Sequence, residues 1–307
     1  MTTPVWRGSW RALVSTLAAA ALGALTWCAT VYAGTYAAFT NPQVVTIQGY
    51  SGSAMEPSIS PDGQYLLFNT SNVAPNIPAL QLATRINAQA FEYQGPLGGE
   101  GVNEPGVLSG TPTMDQEGNL YFISPRSYSQ TLSTIYTGRF SSGVVTGVHL
   151  LAGISGGTPG VVDFDVAVSP GGSALYVSVG QFGPGGGPTS SVLALFDKVG
   201  SSFALDPHGA KILNAVNRVG MLNYAASVST SGLELFFTRA NPAIGAKGIP
   251  EVYRAVRTSP SRPFGTVQRV GAITGYAEAP SLSTDGTTLY YHQLVGNTFE
   301  IKSVTRP

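Results

Sequence analysis

The residues of this chain that could do chemistry are acids at the start of a repeated phrase. The best-preserved copy of the phrase is Glu56-Pro57-Ser58-Ile59-Ser60-Pro61-Asp62-Gly63-Gln64-Tyr65-Leu66-Leu67-Phe68-Asn69. Asp165 has the place of Glu56 in the third copy, and Asp163 lies two residues before it. Glu278 lies one residue before the same place in the fifth copy. If these side chains face a common axis, three or four carboxylates converge.

Converging carboxylates permit two kinds of chemistry. They can bind a hard cation such as Ca²⁺ through oxygen ligands, or act as general acid and base on a glycosidic bond. The enzyme interpretation uses Glu56, Asp165 and Glu278, whose carboxyl groups must then lie within about 5–10 Å of one another. The alternative interpretation is that these acids solvate a water-filled channel and cap strand ends.

Three tyrosines accompany the acids, because Tyr50, Tyr224 and Tyr276 all lie just upstream of the same strands. A tyrosine combines an apolar ring with a polar tip, which beside acids and amides suits sugar or peptide binding. Packing between sheets would explain the tyrosines equally well. The predicted binding residues are Glu56, Asp163, Asp165, Tyr224, Tyr276 and Glu278.

The phrase itself predicts a β-hairpin. Residues 57–60 and 65–68 have the pattern of short strands, and the residue types of Pro61-Asp62-Gly63 between them are typical of a tight turn. Pro61 presets φ, Asp62 can bond its own backbone, and Gly63 accepts a positive φ without a Cβ clash. We therefore expect a structural glycine in the turn of all five copies: Gly63, Gly118, Gly172, Gly232 and Gly286.

These turn glycines are 55, 54, 60 and 54 residues apart, and a repeat of that length holds one four-stranded sheet. Runs such as 133–140 and 144–151 supply the third and fourth strands. Four-stranded antiparallel sheets repeated around an axis form a β-propeller. The sequence thus predicts an all-β, five-bladed β-propeller as a single domain over 34–307, with a six-bladed ring as the alternative. The repeat hairpins fall near 56–69, 111–123, 165–178, 225–238 and 279–292.

The two chain ends are predicted to share one blade. After the fifth hairpin only 299–304 remains as a strand, so the last blade lacks its outer strand. The sequence of 42–50, which precedes Glu56, is similar to that of 267–276, which precedes Ala279. The segment 42–50 can therefore supply the missing strand.

The pattern x-Pro-x-x-Ser-Pro-Asp-Gly-x-x-Leu-x-Phe at 56–68 resembles the repeat of TolB-type, WD40-like β-propellers of bacterial envelopes. The likeness covers essentially all of 34–307 and weakens at 111–122 and 225–237, where the turn is altered. It implies a periplasmic or secreted protein with protein partners at the envelope. It does not identify those partners, because a fold does not fix a function.

Residues 1–33 read as a signal peptide. Arg7 and Arg11 precede an Ala/Leu-rich run, and Val31-Tyr32-Ala33 suits an export peptidase, which predicts cleavage between Ala33 and Gly34. A retained anchor is the alternative, since about 20 apolar residues can span a bilayer.

Composition excludes several classes of function. The one cysteine, Cys28, lies in the signal segment, so the exported chain has no disulfide, cysteine nucleophile or cysteine metal site. Without that segment the chain has 14 basic and 16 acidic residues, and the basic residues form no cluster. This charge distribution excludes nucleic acid as a partner. His149, His208 and His292 show no metal-ligand spacing and are predicted to be surface or structural residues.

Together these patterns predict an exported monomer that acts as a non-catalytic protein-binding or scaffold module. Its partner is expected to be an envelope protein or a glycan, with no membrane span after cleavage. No cofactor is expected apart from Ca²⁺ at the channel mouth. The alternative function is a carbohydrate-active hydrolase or lyase.

Overall fold

The computed structural model describes residues 36–243 and 248–307, which belong to one compact unit. The predicted signal peptide 1–33, its cleavage site and Cys28 lie outside the described residues. Nearly all regular elements are β-strands. The described helices are single turns at Pro125–Ser127, Tyr128–Thr131 (α1) and Gly209–Ile212 (α2).

The strands form five antiparallel groups, one for each copy of the phrase. The chain begins with β1 (Thr40–Val44) and β2 (Thr46–Gln48). Group one contains β3 (Met55–Ile59), β4 (Tyr65–Asn69), β5 (Leu80–Asn87) and β6 (Ala90–Pro96). Group two contains β7 (Gly110–Met114), β8 (Asn119–Ile123), β9 (Ile135–Ser141) and β10 (Val144–Leu150).

The remaining groups follow the same order. Group three contains β11 (Val161–Val168), β12 (Ala174–Phe182), β13 (Pro188–Val199) and β14 (Ser202–Leu205). Group four contains β15 (Leu222–Val228), β16 (Glu234–Ala240), β17 (Glu251–Val256) and β18 (Val267–Arg269). Group five contains β19 (Ala277–Leu282), β20 (Thr288–Val295) and β21 (Thr298–Thr305), with β1 as its fourth strand. One parallel pairing, Ser191 with Leu222, joins groups three and four into a continuous sheet.

The segment 42–50 divides between two groups, which corrects the prediction that it serves the last one alone. β1 pairs antiparallel with β21 of group five, whereas β2 pairs parallel with β6 of group one. Val45 stands between them and is buried. The N-terminal strands therefore link the last group to the first.

The first strands of the five groups contact one another in cyclic order. β3 contacts β7, the series continues through β11, β15 and β19, and β19 contacts β3 again. Each interface between neighbouring groups holds its own cluster of buried apolar side chains. On β4, Leu66 and Phe68 pack in the cluster facing group five, and Leu67 packs in the one facing group two. Successive strand residues point to opposite faces, so the continuous apolar run 65–68 indicates a sheet that is covered on both sides.

All five turn glycines adopt the left-handed conformation, with φ of 72° at Gly63, 81° at Gly118, 70° at Gly172, 68° at Gly232 and 74° at Gly286. A side chain at these turns is strained in every copy. At Gly172 a Cβ atom would also lie 2.6 Å from Oδ2 of Asp115, in the neighbouring group. Asp115 is buried and its carboxylate accepts hydrogen bonds from Glu117 and Asn119, so it has little freedom to move.

We expect Gly172→Ala to lower the free energy of unfolding by about 2–4 kcal/mol, because overpacking adds to the strain of a left-handed alanine. Gly186→Ala is the matched control, since Gly186 has φ of 79° and open space around its Cβ position. The control should lose only about 1–2 kcal/mol. Urea denaturation measures both values, and equal losses would contradict the proposed clash with Asp115.

Candidate functional site

Four of the five first strands hold a non-glycine residue in the left-handed conformation where the phrase begins. The φ angles are 51° at Glu56, 48° at Thr111, 50° at Ala225 and 53° at Ala279. Such a residue is strained by about 1–2 kcal/mol and persists only where its surroundings hold it. Each backbone N–H donates to a side chain on the second strand of the preceding group. The acceptors, in the same order, are His292 Nδ1 at 3.1 Å, Asn69 Oδ1 at 3.0 Å, Ser178 Oγ at 3.1 Å and Thr238 Oγ1 at 3.0 Å.

Group three departs from this pattern. Asp165 has the sequence position of Glu56, but it is not left-handed. All five first strands have a register shift, and in group three it lies between Asp163 and Asp165. Ser124 has the acceptor position on the preceding group, yet its buried Oγ has no hydrogen-bond partner within the described residues. Asp165 therefore matches Glu56 in sequence position and not in backbone conformation.

His292 is the residue of this site that sequence reasoning missed. It is fully buried, and its Nδ1 accepts the N–H of Glu56, so the ring proton sits on Nε2 and is donated to Oε2 of Glu278 at 3.1 Å. Burial lowers the pKa of His292. The hydrogen bond to Glu278 and the charges of Glu56 and Glu278 raise it by more than burial lowers it, so the net change is a rise. The observed bonds fit the neutral ring, because Nδ1 accepts. The signal in the sequence was positional, since His292 follows a buried aromatic as Asn69 and Thr238 do.

Glu278 is the centre of the hydrogen-bond network. Besides the proton of His292, it accepts the hydroxyl proton of Tyr224, and the hydroxyl of Tyr276 lies near it. Burial and the charge of Glu278 raise the pKa values of both tyrosines, so their hydroxyls stay protonated as donors. The Glu278 side chain is 12% exposed, and this network fixes its orientation.

Glu56 is half-buried and Asp165 is buried, and both acids favour their neutral forms. Burial raises the pKa of Glu56 to about 8, with His292 lowering it and the charges of Asp165 and Glu278 raising it. Burial and the charge of Glu278 raise the pKa of Asp165 well above its usual value. The structure therefore brings together Glu56, Asp165 and Glu278, together with Tyr224 and Tyr276.

Asp163 stands apart from this cluster. Burial raises its pKa to about 6, with no contribution from the other acids. Its Oδ2 is buried without a hydrogen-bond partner among the described residues, and its backbone carbonyl accepts the hydroxyl of Thr134. The prediction that Asp163 joins the other carboxylates does not fit this placement.

The space where the first strands meet is a narrow channel. Glu56, Thr111, Asp165, Ala225 and Ala279 all line it, and its volume is about 70 Å³. Pockets that hold small molecules have volumes of about 300–1,000 Å³, whereas a water molecule occupies about 30 Å³ of liquid. The channel accommodates a few water molecules and not a sugar ring.

A larger cleft opens beside Tyr276, at the boundary of groups five and one. Its volume is about 760 Å³, and its polar and aromatic lining includes Tyr50, Tyr276, Asn76 and Asn297. Tyr50 does not offer a free hydroxyl, since that group donates to the carbonyl of Ser53 at 2.9 Å. Every described residue that lines this rim cleft is uncharged. Tyr276 connects the cleft to the Glu278 network.

Across residues 36–243 and 248–307, no group of three or more His, Cys, Asp and Glu side chains has the geometry to hold a metal ion. The same part of the chain contains no helix whose length and apolarity would let it cross a membrane.

No protein-family model matches the chain, and no curated protein matches it. Among solved structures, a glycoside hydrolase is similar with a TM-score of 0.55 at 10% identity, over 89% of this chain and 92% of that one. An exo-β-1,3-galactanase from Phanerochaete chrysosporium is similar with a TM-score of 0.53 at 12% identity, over 86% of this chain and 64% of that one. TolB from Acinetobacter baumannii gives a TM-score of 0.47 at 15% identity, over 83% of this chain. This chain spans 55% of the length of that TolB.

These similarities concern the fold alone, because every identity is low. They support an all-β protein of the β-propeller class. The TolB type indicated by the repeated phrase stays a prediction, as does the signal peptide.

Proposed function

We propose that this chain is an exported, monomeric five-bladed β-propeller that acts as a non-catalytic binding module in the periplasm or outside the cell. Five groups of strands, five apolar interfaces and the return of β19 to β3 support five blades. The TolB-like phrase supports the envelope location.

The observation that carries the non-catalytic assignment is the enclosure of the acids. Glu56 and Asp165 line a channel of about 70 Å³, in which no glycosidic bond can reach them. Glu278 is already engaged by Tyr224, Tyr276 and His292. In this arrangement Glu56 and Glu278 join blade one to blade five through His292, which gives these two acids a structural role.

The binding surface in this proposal is the rim cleft. Its volume of about 760 Å³ suits a bound segment, and uncharged hydroxyl, amide and aromatic groups suit polar chains with little charge. An extended segment of an envelope protein meets that description. A glycan is the other ligand with the same chemistry.

A carbohydrate-active hydrolase is the second candidate, because one observation favours it. An acid whose pKa is about 8 is protonated at neutral pH, as a general acid must be, and Glu56 has this property beside two further carboxyl groups. For this function the channel must open enough to admit a sugar. Ca²⁺ binding at the same acids would also require an opening.

Affinity capture from an envelope extract tests the binding module, with the full chain as bait. We expect a reproducible protein partner, retained about tenfold less well by Asn297→Trp, in which a bulky ring fills the rim cleft. Ser201→Trp is the matched control, since Ser201 is an exposed turn residue in another blade, and it should retain the partner normally. Equal retention by both variants would contradict the assignment of the cleft.

The same protein distinguishes the two candidate functions. Wild type and Glu278→Gln are incubated with a panel of oligosaccharides, with and without Ca²⁺, and reducing ends are measured. We expect no release of reducing ends by either protein. Release by the wild type that Glu278→Gln abolishes would establish the hydrolase instead.

A further inference from the structure

Three arginines occupy equivalent places near the ends of the third strands. Arg85, Arg257 and Arg306 each donate from Nε to the carbonyl oxygen of the turn glycine in their own blade. The distance from Nε to that oxygen is 2.6 Å for Arg257 and 2.7 Å for Arg306. Each guanidinium group is therefore held at the edge of an interface with the preceding blade.

The outer nitrogens of these arginines differ in their partners. Nη1 of Arg85 donates to the carbonyl oxygen of Asn87 at 3.2 Å, and Nη1 of Arg306 donates to Oε1 of Glu234 at 2.8 Å. Nη1 of Arg257 is buried and has no acceptor within the described part of the chain. No described carboxylate oxygen lies within 4.0 Å of this guanidinium either. Arg257 is 9% exposed, so its positive charge is largely desolvated without a counter-ion.

A cavity of about 620 Å³ opens beside Arg257, between the third and fourth blades. The ring of Phe264 lies 4.4 Å from the guanidinium carbon and fixes the plane of the group. The hydroxyl of Tyr176 lies beside the same guanidinium, and Tyr176 also lines the cavity. The exposed fraction of Arg257 thus borders an open space, whereas its Nη1 lies behind that surface.

Two acids line the same cavity from the third blade. Asp197 is on β13, and Asp206 follows β14 with Oδ1 accepting the N–H of His208 at 2.7 Å. Burial and the charge of Asp206 raise the pKa of Asp197. The cavity therefore separates one cation on the fourth blade from two acids on the third.

We propose that this cavity binds a small zwitterion, a free amino acid or a short peptide, whose carboxylate meets Arg257 and whose ammonium group meets Asp197 and Asp206. An inorganic anion would face two acids for one arginine, and a simple amine would leave Arg257 unpaired. A molecule with both charges satisfies both walls, and charge-assisted hydrogen bonds are the strong ones. A volume of about 620 Å³ is within the range of small-molecule pockets.

Isothermal titration calorimetry of the full chain tests this proposal. The probes are glycine, β-alanine, γ-aminobutyrate and triglycine, which differ in the separation of their two charges. Acetate and methylamine each carry one of those charges alone. We expect at least one zwitterion to bind, and to bind at least about tenfold more tightly than acetate or methylamine. Free amino acid and peptide are distinguished by which probe binds best.

Variants locate the site. Arg257→Gln should weaken binding of that zwitterion at least about tenfold, and Asp197→Asn about fivefold or more. Asp197 is exposed, so Asp197→Asn keeps the fold even if Arg257→Gln does not. Arg85→Gln is the matched control at the equivalent place, and binding should change less than about twofold.

Three results would overturn the proposal. One is the absence of binding heat from every zwitterion at concentrations up to about 10 mM, because even a minimal site should bind with a millimolar dissociation constant. Another is acetate binding as tightly as the zwitterions. The third is unchanged binding in Asp197→Asn.

Discussion

Glu234→Gln is expected to lower the free energy of unfolding by about 3–5 kcal/mol, because it leaves the buried Arg306 and the half-buried Arg254 without their counter-ion. Glu234 is 1% exposed. Its two carboxylate oxygens accept from Nη1 and Nη2 of Arg306 at 2.8 and 2.7 Å, and Nε of Arg254 lies 2.7 Å from Oε1. Arg306 follows the last strand, so this cluster fixes the C-terminal end of blade five against blade four.

The exposed pair of Glu251 and Arg269 provides the control for this prediction. Its side chains are 38% and 43% exposed, and an exposed pair contributes about 0–1 kcal/mol. Glu251→Gln should therefore lower the free energy of unfolding by about 1 kcal/mol or less. Urea denaturation of the three proteins measures the difference. A loss in Glu234→Gln no larger than in Glu251→Gln would show that the buried cluster does not stabilise the closure.

The second large effect is a fall in stability as the pH rises. Glu56 has a pKa of about 8 in the folded protein and 4.5 as its ordinary value, so unfolding releases its proton between these values. The stabilising contribution of protonated Glu56 is thus complete below about pH 4.5 and lost as the pH rises through about 8. One pKa unit corresponds to about 1.4 kcal/mol, and solvent at the partly exposed Glu56 reduces the effect. We expect this residue alone to contribute a loss of about 2–4 kcal/mol between pH 5 and pH 9.

Glu56→Gln isolates that contribution, because the amide keeps the shape of the side chain and does not titrate in this range. The variant should lose about 2–4 kcal/mol less than the wild type between pH 5 and pH 9, measured by urea denaturation at each pH. Glu117→Gln is the control, since Glu117 is exposed in a turn. If the Glu56→Gln and wild-type curves run parallel, Glu56 is ionised in the folded protein and the network must be described differently.

The two proposed binding sites lie at different blade boundaries, so each can be tested independently of the other. The rim cleft beside Tyr276 is at the boundary of blades five and one, and its lining is uncharged. The cavity beside Arg257 is between blades three and four, and its lining carries both signs of charge. A propeller repeats its backbone at each boundary, so differences between boundaries come from individual side chains.

Most of the fold could be predicted from the sequence because its determinants are local. A proline, a polar residue and a glycine make a turn at Gly63 whatever lies beyond it, and all five turn glycines have the expected positive φ. The run 65–68 is apolar on both faces, which indicates a sheet with neighbours on each side. The fixed period then repeats this unit, and the chain ends pair as β1 and β21.

The candidate site was predictable only in part, since its contacts join residues far apart in the chain. Sequence position selected Glu56, Asp165 and Glu278, and the structure places all three on first strands, with Asp165 in the middle of its strand. It did not select His292, which is 236 residues from the Glu56 N–H that it accepts. The register shift beside Asp163 and the left-handed residue at Glu56 also depend on neighbouring blades, because no turn residue or glycine marks them.

The sequence by itself determined the repeating hairpin, the all-β class and the residue types available at the channel, because these follow from turn chemistry and periodicity. Only the tertiary structure decided what the acids do. The meeting of the first strands leaves a channel of about 70 Å³, removes Asp165 and part of Glu56 from water, and brings Glu278 to His292. Burial and proximity are properties of the assembled strands, and they raise the pKa values of Glu56 and Asp165 and place Glu278 in a hydrogen-bond network.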